Sequence, residues 1–306
     1  MYAKHFRALS RAALLTILVC ICAYAQLNKT HSQRRELTRT AVILTVSGER
    51  HLDALQQLAA RTLFSDLEGY DPLIVCEGDP GEWFANKSSV KASLRGGDVV
   101  LVEASRQTER DAYGNSFQLF SGIYGASVKP AAIRWLASQS YYHHAWIVEP
   151  DVVFAAPWQH LFDKYDHSYR ADADLIAYNI TFRFQNKTSW NHWQGCAFCN
   201  GLESWVKQGA LLPTFRISQK LAHALFQQLS RNSKGGHHEA LIPTFIFANS
   251  GRFTWIDLSP DVAYMRWRPV YDENVAVRVP RRESRLFHPV KSPEMFKRLS
   301  GPLMHG

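Results

Sequence analysis

From residue 41 onward, continuous apolar β-rich runs alternate with segments whose apolar residues recur at helical spacing. Ala41-Val42-Ile43-Leu44-Thr45-Val46 has almost no polar interruption, the pattern of a strand buried on both faces. His51 to Leu63 follows with apolar residues at 52, 55, 58, 59 and 63, which is helical spacing. Further strands are expected at Pro72–Cys76, Asp98–Glu103, Ala145–Val148 and Asp174–Tyr178. Helices are expected at Ser127–Ser138, Trp158–Tyr165 and Ile217–Leu229, and Ala240–Pro243 opens either a helix or a strand. Such alternation predicts an α/β domain with a mainly parallel central sheet flanked by helices. At 46% hydrophobic and 20% charged, the chain has ample material for a core and is neither disordered nor coiled-coil. One compact domain over 41–306 is the simplest division, and the pattern loses regularity from about 180.

The formal net charge of +8 suggests a nucleic-acid partner until it is located. Residues 1–40 hold seven basic residues and one acidic, or +6, which leaves about +2 for residues 41–306. A domain so near neutrality is a poor grip for a polyphosphate backbone, so nucleic acid is not an expected partner. The basic residues belong to a leader. Lys4, Arg7 and Arg11 precede an uncharged run from Ala12 to Ala25, ending Ala23-Tyr24-Ala25. This is the order of a signal peptide with an A-x-A cleavage site. An uncleaved signal-anchor, which would hold the chain to a membrane, is the alternative. Residues 26–40 read as a polar stem. Either leader delivers the domain to the secretory pathway: as a single-pass type II protein of the Golgi lumen if retained, or secreted if cut. Four N-x-[ST] sequons, at Asn28, Asn86, Asn179 and Asn186, agree with that route. Beyond the leader only Cys76, Cys196 and Cys199 remain, too few for a disulfide scaffold or a four-thiolate zinc site. A structural disulfide is expected, with the pairing open.

Ligands of open α/β sheets bind beyond the carboxyl ends of the strands. The fourth expected strand ends at Glu149-Pro150-Asp151. Carboxylates at i and i+2 in an extended segment project to one side, and hard oxygens suit Mg²⁺ or Mn²⁺. Such a pair is also ordinary turn chemistry; its position after three earlier strands lifts it above that reading. Gly235-Gly236-His237-His238-Glu239 places a polar cluster after two flexible residues. Glu239, aided by His238, suits removal of a proton from an acceptor hydroxyl, or Glu239 serves as a helix-start carboxylate. The aromatic stretch 182–205 suits stacking on sugar faces, best at Trp190 and Trp193, set among polar residues; for Phe182, Phe184 and Trp205 an aromatic core patch is at least an equal reading. Arg216 in Thr214-Phe215-Arg216-Ile217-Ser218 suits an anionic group of an acceptor, with Ser218 as a helix N-cap. No G-x-S-x-G, Walker loop or G-x-G-x-x-G occurs.

The order of apolar strand, acidic pair, "P-T-F-R-I-S" and late "F-H-P-V-K" resembles the nucleotide-diphospho-sugar transferases of the glycosyltransferase-A fold, over about 41–291. The resemblance implies a single Rossmann-type domain that moves a sugar from a nucleotide-diphosphate donor to a glycan or glycoconjugate. It places Glu149 and Asp151 at the acidic metal motif, with Glu in place of the stricter Asp, and His288 at a third metal ligand. The implied cation is Mn²⁺ or Mg²⁺. Lys291 matches a lysine on the pyrophosphate, and Thr45, Ser47 and Lys129 fall where the nucleotide sugar docks. Two other classes stay open: a secreted metal-dependent hydrolase using Asp151, His288 and the His237/His238 pair, and a non-catalytic carbohydrate-binding protein on a transferase-like fold.

Overall fold

The computed structural model describes residues 39–47, 52–65, 67–77, 99–117, 127–168, 170–183, 195–232 and 234–301. The leader, the sequons at Asn28, Asn86 and Asn186, and Trp190 and Trp193 lie outside them. No helix among the described residues is long and apolar enough to cross a membrane.

The compact unit Thr40–Gly306 is built on a seven-stranded sheet in the order β3-β2-β1-β4-β7-β6-β8. Its strands are β1 (Arg39–Val46), β2 (Tyr70–Glu77), β3 (Val100–Ala104), β4 (Tyr142–Val148), β6 (Leu175–Arg183), β7 (Gln208–Ser218) and β8 (Trp255–Asp257). A small second sheet, β5-β10-β9, joins Val153–Phe154, Leu286–His288 and Val262–Met265. The helices are α1 (Ala54–Phe64), α2 (Arg106–Tyr113), α3 (Val128–Ser138), α4 (Trp158–Asp166), α5 (Gln219–Asn232), α6 (His238–Ala248), α7 (Glu273–Ala276) and α8 (Pro293–Ser300).

The unbroken apolar run of β1 has a direct structural cause. Alternate residues of a strand face opposite sides of the sheet, and both sides are covered. Val42, Leu44 and Val46 join a core with Trp146, Phe162, Phe287 and Phe296. Ala41 and Ile43 join the other core with Ile133, Ile147, Phe215 and Leu225. Each fully buried large side chain contributes about 1.5–3 kcal/mol, so the two cores fix β1 and β4 firmly. Asp53 caps α1 in a reciprocal box with Gln56, which starts the helix at Ala54, three residues after the expected His51.

The sheet is largely parallel and flanked by helices, as expected, with one strand running against its neighbours. β1–β2, β2–β3 and β6–β8 are parallel, but β7 runs antiparallel to both β4 and β6. The sequence expectation lacked β7 and began a helix at Ile217, where the chain is still strand and α5 starts only at Gln219. Pro213 masks the strand signal, since proline cannot donate to a ladder. Ser218 does cap the helix, accepting a hydrogen bond from Leu221 N at 3.0 Å.

Candidate active site

β4 lies centrally in the sheet and delivers Glu149 and Asp151 to its carboxyl end. Glu149 N donates to Pro213 O at 2.8 Å, which extends the pairing with β7 by one residue. Pro150 has no N–H to give, and Val152 N closes the turn on Glu149 O at 3.2 Å. The chain then enters β5, whose antiparallel register sets Val153 against Phe287 and Phe154 against Leu286. Val290 N donates to Asp151 O at 2.9 Å. This small sheet brings His288 across 137 residues of chain to the acidic turn.

The side chains converge. His288 Nε2 lies 3.4 Å from Glu149 Oε2 and 3.5 Å from Asp151 Oδ2. Glu149, Asp151 and His288 each offer a ligand atom, all within 4.8 Å of one another. Two hard oxygens and an imidazole form a donor set that fits Mn²⁺ or Mg²⁺. Asp151 is buried, Glu149 partly exposed, and His288 Nδ1 is buried with no hydrogen-bond partner among the described residues. Burial opposes ionisation of Glu149, but the Lys129 ammonium and His288 outweigh it and hold the carboxyl well below the usual carboxylate range.

Two lysines stand against this cluster. Lys291 Nζ is 2.5 Å from Asp151 Oδ2. Lys129 Nζ is 2.5 Å from Glu149 Oε1 and 3.0 Å from His238 Nε2. Lys129 occupies the first turn of α3, where a cation opposes the helix dipole. Its partner carboxylate, not helix formation, accounts for the placement.

Glu239 and His238 open α6 beside this group. His237, not Glu239, is the N-cap: its Nδ1 accepts from Glu239 N at 3.3 Å. Glu239 Oε1 accepts from Leu212 N of β7 at 3.2 Å, so this carboxylate ties helix to strand. Burial pushes the Glu239 carboxyl up to about 7, against the opposing pull of Lys129 and of the Leu212 N–H. The rings of His237 and His238 stack with centroids 4.2 Å apart. Behind them Cys196 and Cys199 form a disulfide, leaving Cys76 as a buried thiol. A Cβ on Gly236 would lie 2.7 Å from Cys196 Sγ and 3.0 Å from Cys196 Cα, so the approach of the loop to the disulfide requires glycine.

Two expected contacts with ligand change. Arg216 is only 1% exposed. It pairs with Asp166, and its Nη2 donates to Ala171 O at 2.7 Å and Ala173 O at 2.9 Å. It is a buried anchor of the segment between α4 and β6, out of reach of an acceptor. Thr45 is buried, and its hydroxyl donates to Val148 O at 3.2 Å, binding the end of β1 to β4. Ser47, two residues on, is exposed at the strand end. Of the two readings open for Trp205, acceptor platform or core patch, its 63% exposure excludes the core. The Lys129–Glu149 contact had no sequence expectation; a lysine in the first turn of a helix was the available signal.

No protein-family model matches the sequence, and no curated protein matches it. Solved structures do. The galactosyltransferase LgtC, crystallised with donor and acceptor sugar analogs, superposes with a TM-score of 0.51 at 14% identity, covering 86% of this chain and 96% of that one. An active-site mutant of LgtC gives 0.51 at 13% identity over the same shares. Apo mouse xyloside xylosyltransferase 1 reaches 0.48 at 12% identity, over 82% of this chain and 97% of that chain. The seven-stranded sheet with its acidic turn beyond β4 thus has the glycosyltransferase-A fold.

Proposed function

We propose that the protein transfers a glycosyl unit from a nucleoside-diphosphate sugar to a glycan or glycoconjugate, using Mn²⁺ or Mg²⁺ held by Glu149, Asp151 and His288. The supporting observation is the meeting of the Glu-Pro-Asp turn with His288, remote in sequence, at the carboxyl end of the sheet. When bound, such a cation neutralises charge developing on a departing diphosphate. Glu149 and Asp151 supply its oxygens and His288 a nitrogen. Lys291, largely exposed beside Asp151, adds positive charge on the solvent side where phosphate would arrive. Ser47, at the end of β1, is the remaining candidate there for a nucleotide contact.

Glu239 is the proposed acceptor base, with His238 beside it. A carboxyl held near neutrality by burial accepts a proton more readily than an ordinary glutamate does. Trp190 and Trp193 are proposed acceptor platforms. We place the enzyme in the secretory pathway, in the Golgi lumen as a type II protein if the leader is retained, on the strength of the leader and the sequons. The hydrolase reading required His237 and His238 to join the metal group. Among the described residues that group contains neither, and His238 Nε2 faces Lys129.

The test is a thermal melt of the full chain with Mn²⁺, with UDP or GDP, and with both. Stabilisation by nucleotide only when Mn²⁺ is present is expected, together with slow hydrolysis of one donor from a nucleotide-sugar panel. Asp151→Asn should abolish both. Retention of nucleotide binding and donor hydrolysis in Asp151→Asn would overturn the site.

A further inference from the structure

We propose that Lys129 and Lys291 neutralise the two acidic ligands in advance, so that the divalent cation binds weakly alone and is admitted together with a nucleoside diphosphate. The inference rests on the cation site assigned under Proposed function. It is carried by the geometry of two ammonium groups, each 2.5 Å from a different ligand carboxylate. Among the described residues, lysine and histidine are the side-chain partners of Glu149 and Asp151; no hydroxyl or backbone N–H shares their carboxylates. The two carboxylates and the two ammonium groups cancel. Adding a doubly charged cation to that cluster leaves it strongly positive in a partly buried site, where like charges a few ångströms apart repel appreciably. A diphosphate carries the compensating negative charge. Cation and diphosphate are therefore each unfavourable partners for the site alone and favourable ones together.

The two lysines play different parts. Lys129 has a side chain 9% exposed, with its ammonium between Glu149 and His238, so it stays in place whatever binds. Its hold on Glu149 Oε1 leaves Oε2 beside His288 Nε2, which also fixes the carboxylate for a cation. Lys291 is 61% exposed and can leave Asp151 for an arriving phosphate. One is a permanent counter-ion and positioning residue; the other is exchangeable.

Titration calorimetry of Mn²⁺ into the full chain, with and without UDP or GDP, tests this. For the wild type, Mn²⁺ binding should tighten at least about tenfold when one of the nucleotides is present. Lys291→Met, at an exposed position, should bind Mn²⁺ alone severalfold more tightly and the nucleotide more weakly. Lys129→Met should bind Mn²⁺ alone about tenfold more tightly or better, and the gain from nucleotide should shrink by a similar factor. Lys129→Arg, which keeps the charge, should resemble the wild type. Unchanged or weaker Mn²⁺ binding in either folded methionine variant overturns the inference, as does a wild type that gains nothing from either nucleotide. Asp151→Asn separates the two levels. If it leaves Mn²⁺ binding intact, the cation site itself is wrongly assigned. If it abolishes Mn²⁺ binding while the methionine variants fail to tighten it, the cation site stands and the counter-ion role alone falls.

Discussion

Asp166 and Asp151 are both buried carboxylates beside a basic side chain, yet their surroundings differ in kind. Asp166 receives Arg216 and also Trp146 Nε1 at 3.1 Å, while Arg216 turns its other donor to backbone carbonyls. Asp174 and Asp261 follow the same rule: Ser218 Oγ at 2.7 Å and Thr254 N at 3.0 Å serve the first, and Tyr165 Oη at 2.6 Å with Lys164 at 2.5 Å serves the second. Neutral donors complete each of these carboxylates, and the clusters hold elements together. Among the described residues, Asp151 and Glu149 collect only lysine and imidazole as side-chain partners, which a cation or a phosphate can displace. Asp166 and Asp151, with similarly buried side chains, thus fall into a structural and an exchangeable cluster by the chemistry of their remaining donors.

The largest expected effect breaks that contrast if it fails. Asp166→Ala leaves Arg216 buried without its counter-ion and should cost about 3–5 kcal/mol in chemical denaturation. Asp151→Asn keeps the side-chain shape while weakening its contacts with the exposed Lys291 and with His288, and should change stability by no more than about 1 kcal/mol, while the nucleotide response disappears. Similar stability losses in both variants would mean that the acidic turn is structural too.

Glu239 tests the border between the two regions, because it ties α6 to β7 yet lies beside the cluster. Its carboxyl is raised from 4.5 to about 7 by burial. Between those values the unfolded chain has released the proton while the folded one still holds it. This residue's contribution to stability therefore falls as pH rises from about 4.5 to about 7, and is constant above. The fall is at most about 3 kcal/mol. Subtracting the pH–stability curve of Glu239→Gln from that of the wild type isolates it, since Glu149, whose carboxyl is lowered, contributes with the opposite sign in both. A flat difference curve would show the carboxyl to be ionised throughout. If Glu239 is also the acceptor base, transfer rate should rise over the same interval near pH 7.

The sequence made one half of this molecule far plainer than the other, for a physical reason. β1, β2 and β4 are covered on both faces, so their buried residues run consecutively and are visible without context. β7 is buried as well, but one of its faces is polar: Thr214, Arg216 and Ser218 alternate with Phe215 and Ile217. That alternation is a strand signal, and Pro213 beside it hid it. Arg216, expected to meet an anionic group of an acceptor, is held by Asp166, fifty residues earlier in the chain. β10 is three residues long and has no pattern to read, so His288 was reachable only through the family resemblance. The acidic turn was legible because its place after a buried strand is a local fact. The resemblance placed Lys129 and Lys291 near the donor, but their ion pairs with the acidic turn were not legible, because they form only once the sheet brings these segments together.

Two further substitutions sharpen the comparison on the loop side. Gly236→Ala pushes a methyl group against Cys196, including its Cα, and should cost about 1–3 kcal/mol. Because Gly236 precedes His237 and His238, the same variant should lower transfer more than Mn²⁺ affinity. Equal loss of both would place the cation cluster and the α6 start in one rigid unit.

Trp205→Ala is the smallest expected change in stability. A side chain 63% exposed has little burial to lose, so unfolding free energy should stay within about 0.5 kcal/mol of wild type. Its indole is nonetheless a large apolar face in the aromatic segment from which the acceptor platforms are proposed. If it serves there, KM for the acceptor should rise while kcat and donor binding hold, since stacking contributes equally to the ground and transition states. A stability loss well above 0.5 kcal/mol would instead favour the other reading of Trp205, a member of an aromatic core patch.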